Sequence, residues 1–207
     1  MEAIAAKKPR GRATKQPDVP PALVYEVWNG KPIYYKGYRD VLAGRKTPQE
    51  IMSCSDLQAV LIYVLNGFLF THLNRKQYVV GTNESGLHLA KHDNIGNDIA
   101  IFDKAQVGKL KGKYFDVPPR VVIEVDIKAD VAEFLNEDLD YIIAKSQKML
   151  DFGTDKVVWI LTSTRKLYVA TRNQKQAVIT DWDEDIHLLD DCTLNVKRLL
   201  DEEEITY

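Results

Sequence analysis

Asp98 and Glu124 are the residues around which chemistry could be built. Each is a carboxylate within a short apolar run, Asn97-Asp98-Ile99-Ala100-Ile101-Phe102 and Val121-Val122-Ile123-Glu124-Val125-Asp126-Ile127-Lys128. Both runs have strand character, and alternate side chains of a strand share a face. Val121, Ile123, Val125 and Ile127 then fall on one face, and Glu124, Asp126 and Lys128 on the other. Charges on a core-facing surface are costly unless they are paired or bind metal. Two readings follow. One is an edge strand with a polar outer face. The other is a divalent-cation site, since hard oxygen ligands from two neighbouring strands suit Mg2+, which takes few protein carboxylates and keeps its waters.

The elements that would position these groups can be read along the chain. Leu23 to Trp28 and Pro32 to Tyr35 are two strands joined by the hairpin turn Asn29-Gly30. Ser55 can cap a long helix in which Leu57, Val60, Leu61, Val64, Leu65, Phe68 and Leu69 recur at helical spacing. Gln77 to Val80 and Leu87 to Leu89 are short strands, with Gly81 to Gly86 as a turn and His92 to Gly96 as a loop. His88 and His92 stand four apart without a helix to align them, so no zinc pair is expected.

A second helix starts near Glu137, with Leu139, Ile142, Ile143, Ser146 and Leu150 on one face and Gly153 as its stop. Lys145 lies about 100° from the centre of that stripe. From there its stem can run along the sheet and bring its amine to the sheet's rim; the plainer alternative is a surface lysine. Lys156 to Leu161 is a strongly apolar, central strand, and Leu167 to Ala170 its hairpin partner. The order of elements predicts one mixed-sheet α/β domain over residues 21–207, with helices packed on the sheet.

Composition narrows the class. The 207 residues carry a net charge of −2, and the first 16 hold five basic residues against Glu2. The remainder is therefore mildly acidic, which argues against a broad nucleic-acid-binding surface but leaves room for a local basic groove. Residues 1–20 read as a flexible basic tail. Its Lys7-Lys8-Pro9-Arg10-Gly11-Arg12 resembles an AT-hook, with Lys8, Arg10 and Arg12 as nucleic-acid contacts, although Ala13 stands where a hook has Pro. Basic tails also serve solubility or unspecific phosphate contact. No run of 18 apolar residues is present, so no membrane span is expected, and no apolar stretch follows the basic one as in a signal peptide. Cys54 and Cys192 form no motif, which makes the cytoplasm the expected setting.

Taken in order, several segments resemble one family. They are Tyr25 to Pro32, Asn97 to Phe102, Pro118 to Val125, Lys145-Ser146-Gln147-Lys148-Met149-Leu150-Asp151-Phe152-Gly153 and Lys156 to Leu161. Together they resemble the Uma-two family of restriction-endonuclease-like proteins, a branch of the PD-(D/E)xK nuclease superfamily, over roughly residues 22–200. The resemblance implies a restriction-endonuclease-like mixed β-sheet flanked by helices. It implies Asp98 and Glu124 as ligands of Mg2+ (or Mn2+), and Lys145, from the helix, as the catalytic lysine. Lys128 is its rival, and Glu26 and Asp126 are accessory residues. The activity implied is metal-dependent hydrolysis of nucleic-acid phosphodiester bonds, most naturally in DNA, with a homodimer expected by analogy with the superfamily. The sequence departs from the pattern at Asn97, where the family has Pro, and at Asp126, where the superfamily has its usual lysine. A nucleic-acid-binding or interaction module that has lost catalysis is therefore the alternative.

Overall fold

A computed structural model describes residues 19–207. The tail with Lys8, Arg10 and Arg12 lies outside them. The chain runs through β1 (Val24–Trp28), β2 (Lys31–Tyr34), α1 (Tyr38–Leu42), α2 (Pro48–Met52), α3 (Asp56–His72), β3 (Tyr78–Ala90), β4 (Asp93–Asp103) and α4 (Lys104–Val107). It continues through β5 (Val121–Val125), α5 (Glu137–Phe152), β6 (Lys156–Leu161), β7 (Lys166–Thr171), β8 (Val178–Asp181), β9 (Ile186–Leu189), β10 (Cys192–Leu194) and α6 (Val196–Glu202).

Eight strands form one sheet in the order β2-β1-β4-β5-β6-β7-β8, with β3 paired to β4 outside that path. All pairs are antiparallel except β5 and β6. That parallel pair needs a crossover, which α5 supplies. Strand alternation separates two cores. Ile99, Ile101, Val121, Ile123 and Val125 meet α3 and α6 on one face. Ala100, Phe102, Val122, Val157 and Trp159 meet α5 on the other. Asp98 and Glu124 belong to the α5 face by the same alternation. This is the mixed sheet flanked by helices that the sequence predicts.

Four local readings need correction. Gly81 to Gly86 is no turn: β3 runs unbroken over 13 residues. Its ladder with β4 shifts register between Thr82 and Ser85, where Asn83 and Glu84 take φ of 62° and 56°. This is a bulge, and bulges re-aim side chains. Second, His92 to Gly96 is mostly strand rather than loop, because β4 begins at Asp93. Third, the buried face of α5 is turned toward Tyr141 and Lys145, leaving Leu139 and Ile143 exposed. Tyr141 is drawn in by aromatic neighbours, stacking on Trp28 at 5.3 Å and meeting Trp159 edge-on at 6.0 Å. Fourth, the alternation of β5 ends at Val125: Asp126 has φ 59°, and Ile127 packs with the opposite core.

Candidate active site

The β4–β5 register pairs Ile99 with Ile123, so Asp98 and Glu124 stand opposite one another at the next position. Both are buried. Asp98 Oδ2 accepts a hydrogen bond from the Val125 amide at 2.9 Å, which fixes the carboxylate across the strand pair. Its other oxygen lies 3.1 Å from Lys128 Nζ. Glu124 Oε2 is 3.5 Å from the Asp98 amide. Glu124 Oε1 is 3.1 Å from Lys145 Nζ but poorly aligned to accept its hydrogen bond, and no other group among the described residues bonds that buried oxygen.

Lys145 is fully enclosed, with no side-chain exposure. Its ammonium is 2.7 Å from Glu26 Oε1 and donates to the Gly96 carbonyl at 2.9 Å. The expected rim position is thus corrected: the amine is buried against β1, β4 and β5, inside the core. A helical wheel sorts lysine with the polar face, whereas here two carboxylates from β1 and β5 draw it inward. Glu26 is held from its other side by Trp28 Nε1 at 2.9 Å and the Tyr141 hydroxyl at 3.2 Å. Burial keeps that hydroxyl well above its ordinary pKa, so Tyr141 remains a donor.

One ammonium balances one carboxylate, and Lys145 faces two. Burial accordingly pushes the Glu124 carboxyl up to about 8, with Lys145 pulling against the shift and Asp98 adding to it. Burial alone would lower the Lys145 ammonium, but Glu124 and Glu26 hold it well above its ordinary value. Lys128 is the more accessible cation, with 15% of its side chain exposed. It bridges Asp98 and Glu84, the latter at 2.7 Å. Those two acids outweigh the lowering effect of burial and raise it to about 12. Its segment is fixed by the Lys36 amide bonding to the Lys128 carbonyl at 2.7 Å. Asp98, Lys128, Glu84 and Thr82 share the wall of a cleft of about 620 Å³.

Of the residues expected at the site, Glu26, Asp98, Glu124 and Lys145 come together, and Lys128 joins them. Asp126 does not. Its left-handed backbone turns it away, and its carboxylate caps the segment after β6, accepting from the Thr162 amide at 2.8 Å and hydroxyl at 2.7 Å. Sequence reasoning missed two contributors. Glu84 reaches the site only through the β3 bulge, for which two polar residues inside a strand were the sole signal. Gln58 is buried on the apolar face of α3 and donates to the Val125 carbonyl at 2.8 Å, securing the end of β5. A lone amide within an apolar helical stripe was the trace of that.

The donor set fits a hard divalent cation. Four acids, Glu26, Glu84, Asp98 and Glu124, face two lysines, and Glu124 Oε1 lacks a hydrogen bond. Among the described residues no three His, Cys, Asp or Glu side chains form a ready-made metal cluster. A pair of carboxylates with water completing the shell is what Mg2+ accepts.

No family model matches the chain, and no curated protein matches it. Among solved structures, it is similar to a candidate nuclease belonging to DUF820 from Anabaena variabilis ATCC 29413. The TM-score is 0.60 at 14% identity, over 85% of this chain and 89% of that one. At this identity the likeness defines the fold, a nuclease-like α/β sheet flanked by helices. No helix among the described residues is long and apolar enough to cross a membrane.

Proposed function

We propose that this protein is a metal-dependent nuclease of the PD-(D/E)xK type, related to the Uma-two proteins, which hydrolyses phosphodiester bonds in nucleic acid, DNA foremost. The observation that carries the reading is the opposed pair Asp98 and Glu124, with a buried Glu124 oxygen that has its ion pair to Lys145 but no hydrogen bond among the described residues. These two residues would hold Mg2+ or Mn2+. When bound, the ion would supply charge for the scissile phosphate and a more acidic water. Lys128, on the cleft wall, is the cation that an entering phosphate would meet. Lys145 sets the orientation and charge of Glu124 from below and counters Glu26, so its contribution is made through the carboxylates. Two free cysteines, Cys54 exposed and Cys192 buried, suit a reducing, cytoplasmic setting. Assembly as a homodimer belongs to this reading by the superfamily resemblance alone.

One feature favours a binding module instead. The lysines already pair with the carboxylates, and among the described residues no third ligand stands ready. Cleavage of supercoiled plasmid with and without Mg2+ or Mn2+, beside an identically purified Glu124→Ala protein, separates the two. Metal-dependent nicking absent from the variant supports the nuclease. Equal nicking by both points to contamination, and none by either points to the binding module.

A further inference from the structure

The connection from α4 to β5 carries Lys109, Lys111, Lys113 and Arg120 against Asp116, a basic segment in a domain that is otherwise acidic. Lys109 and Lys113 are exposed and make no ion pair among the described residues, whereas Lys111 meets Asp116 at 3.3 Å. Beside them Tyr114 is 59% exposed, yet its position is fixed. The next residue is stitched to β3 by Phe115 N–H donating to the Gly86 carbonyl at 2.9 Å and His88 N–H to the Phe115 carbonyl at 2.8 Å. One side of the Tyr114 ring lies on Gly86 so closely that a Cβ there would fall 2.5 Å from it. The rest of the side chain accounts for its exposure.

Tyr114 also forms part of the wall of a second cleft, of about 350 Å³, with Tyr25, Tyr35, Glu26, Glu84 and Gly96. Glu84 is common to this cleft and to the one that holds Asp98 and Lys128. Among the described residues no lysine or arginine lines the tyrosine cleft, and two glutamates do. Both glutamates are already ion-paired, Glu26 to Lys145 and Glu84 to Lys128, so this wall offers no free cation to a phosphate and suits an uncharged, flat group. Phosphates would lie instead over the neighbouring lysines. An anchored aromatic face beside a row of cations is the arrangement that binds single strands, since every base offers a π-face and every nucleotide a phosphate. In a duplex those base faces are already covered by stacking.

We propose that Tyr114 is a stacking platform for an unpaired nucleobase, and that Lys109 and Lys113 hold the adjoining phosphates of a single-stranded nucleic acid. Resting on the nuclease reading, this places an unpaired strand beside the Asp98–Glu124 pair. The binding itself can be tested without cleavage.

The test is anisotropy of short labelled DNA and RNA single strands, and of the matching duplexes, with the full chain in EDTA across a salt series. Single strands should bind more tightly than duplex. Tyr114→Leu, which still covers Gly86, should weaken single-strand binding roughly fivefold or more without changing the salt slope, and Tyr114→Trp should retain it. Replacing Lys109 and Lys113 with Ala should flatten the slope of log K against log salt by about 0.7 per lysine. Tyr114→Leu binding like wild type, with an unchanged melting temperature, would overturn the proposal. So would loop variants that bind normally in a protein that cuts nucleic acid. Strand binding that depends on Tyr114, in a protein with no metal-dependent cleavage, would support this inference and reject the nuclease reading.

Discussion

Replacing Lys145 with Met tests the electrostatics of the site independently of any activity. Methionine keeps the length of the stem and removes only the ammonium. In the wild type that ammonium lies 2.7 Å from Glu26, 3.1 Å from Glu124 and 2.9 Å from the Gly96 carbonyl, with no solvent contact. Removing one partner of a buried ion pair strands the other charge and costs about 3–5 kcal/mol. For a chain of this length each kcal/mol lowers the melting temperature by about 2–4 °C, so a fall of roughly 6–20 °C is expected. Glu26 is the stranded charge, because burial already lets Glu124 keep a proton near neutrality. Glu26→Gln added to Lys145→Met should therefore recover much of the loss, with Trp28 and Tyr141 still donating to the amide oxygen. Thermal and urea melts of the two single variants and the double variant at pH 7 form the assay. A Lys145→Met protein within about 1 kcal/mol of wild type would refute the reasoning. So would a double variant no more stable than Lys145→Met.

Further outcomes follow from the same geometry. Because Glu124 titrates near 8 in the folded state, above its ordinary value, its proton stabilises the metal-free protein fully at low pH. That stability is lost as pH rises through about 8, with a slope of at most about 1.4 kcal/mol per pH unit. Glu124→Gln should flatten this part of the stability profile; an unchanged profile would reject the assignment. Mg2+ or Mn2+ at about a hundredfold excess over Kd should stabilise the wild type by about 2.7 kcal/mol. Asp98→Asn and Glu124→Gln should each abolish that gain, as read by melting with and without EDTA. Asp126→Ala should cost about 1–3 kcal/mol through the lost bonds to Thr162. It should leave the metal-dependent shift in place, and loss of that shift would return Asp126 to the site.

The opposition of Asp98 and Glu124 was legible because it depends on short-range regularities, two apolar runs and the alternation of a strand. Lys145 was found by position but misjudged in burial. Nothing local distinguishes it from a surface lysine; the carboxylates that draw it inward come from β1 and β5, far away in sequence. Asp126 failed for a related reason. Alternation predicts its face only while the strand continues, and the strand ends where Thr162, 36 residues later, captures its side chain. Glu84 depends on a bulge, which is a property of the β3–β4 pair. Tyr114 depends on contacts of a loop with Gly86. The elements were thus readable, while the groups that complete the site were set by tertiary contacts.

The central claim is that Asp98 and Glu124 form a divalent-cation site whose second carboxylate is protonated until the ion binds. Calorimetric titration of the metal-free protein with Mn2+ at pH 7, in two buffers of different protonation enthalpy, addresses this directly. Binding with release of close to one proton in the wild type, and no such release with Glu124→Gln, is the expected result. No binding heat in either buffer, or the same heats from wild type and Glu124→Gln, would contradict the account.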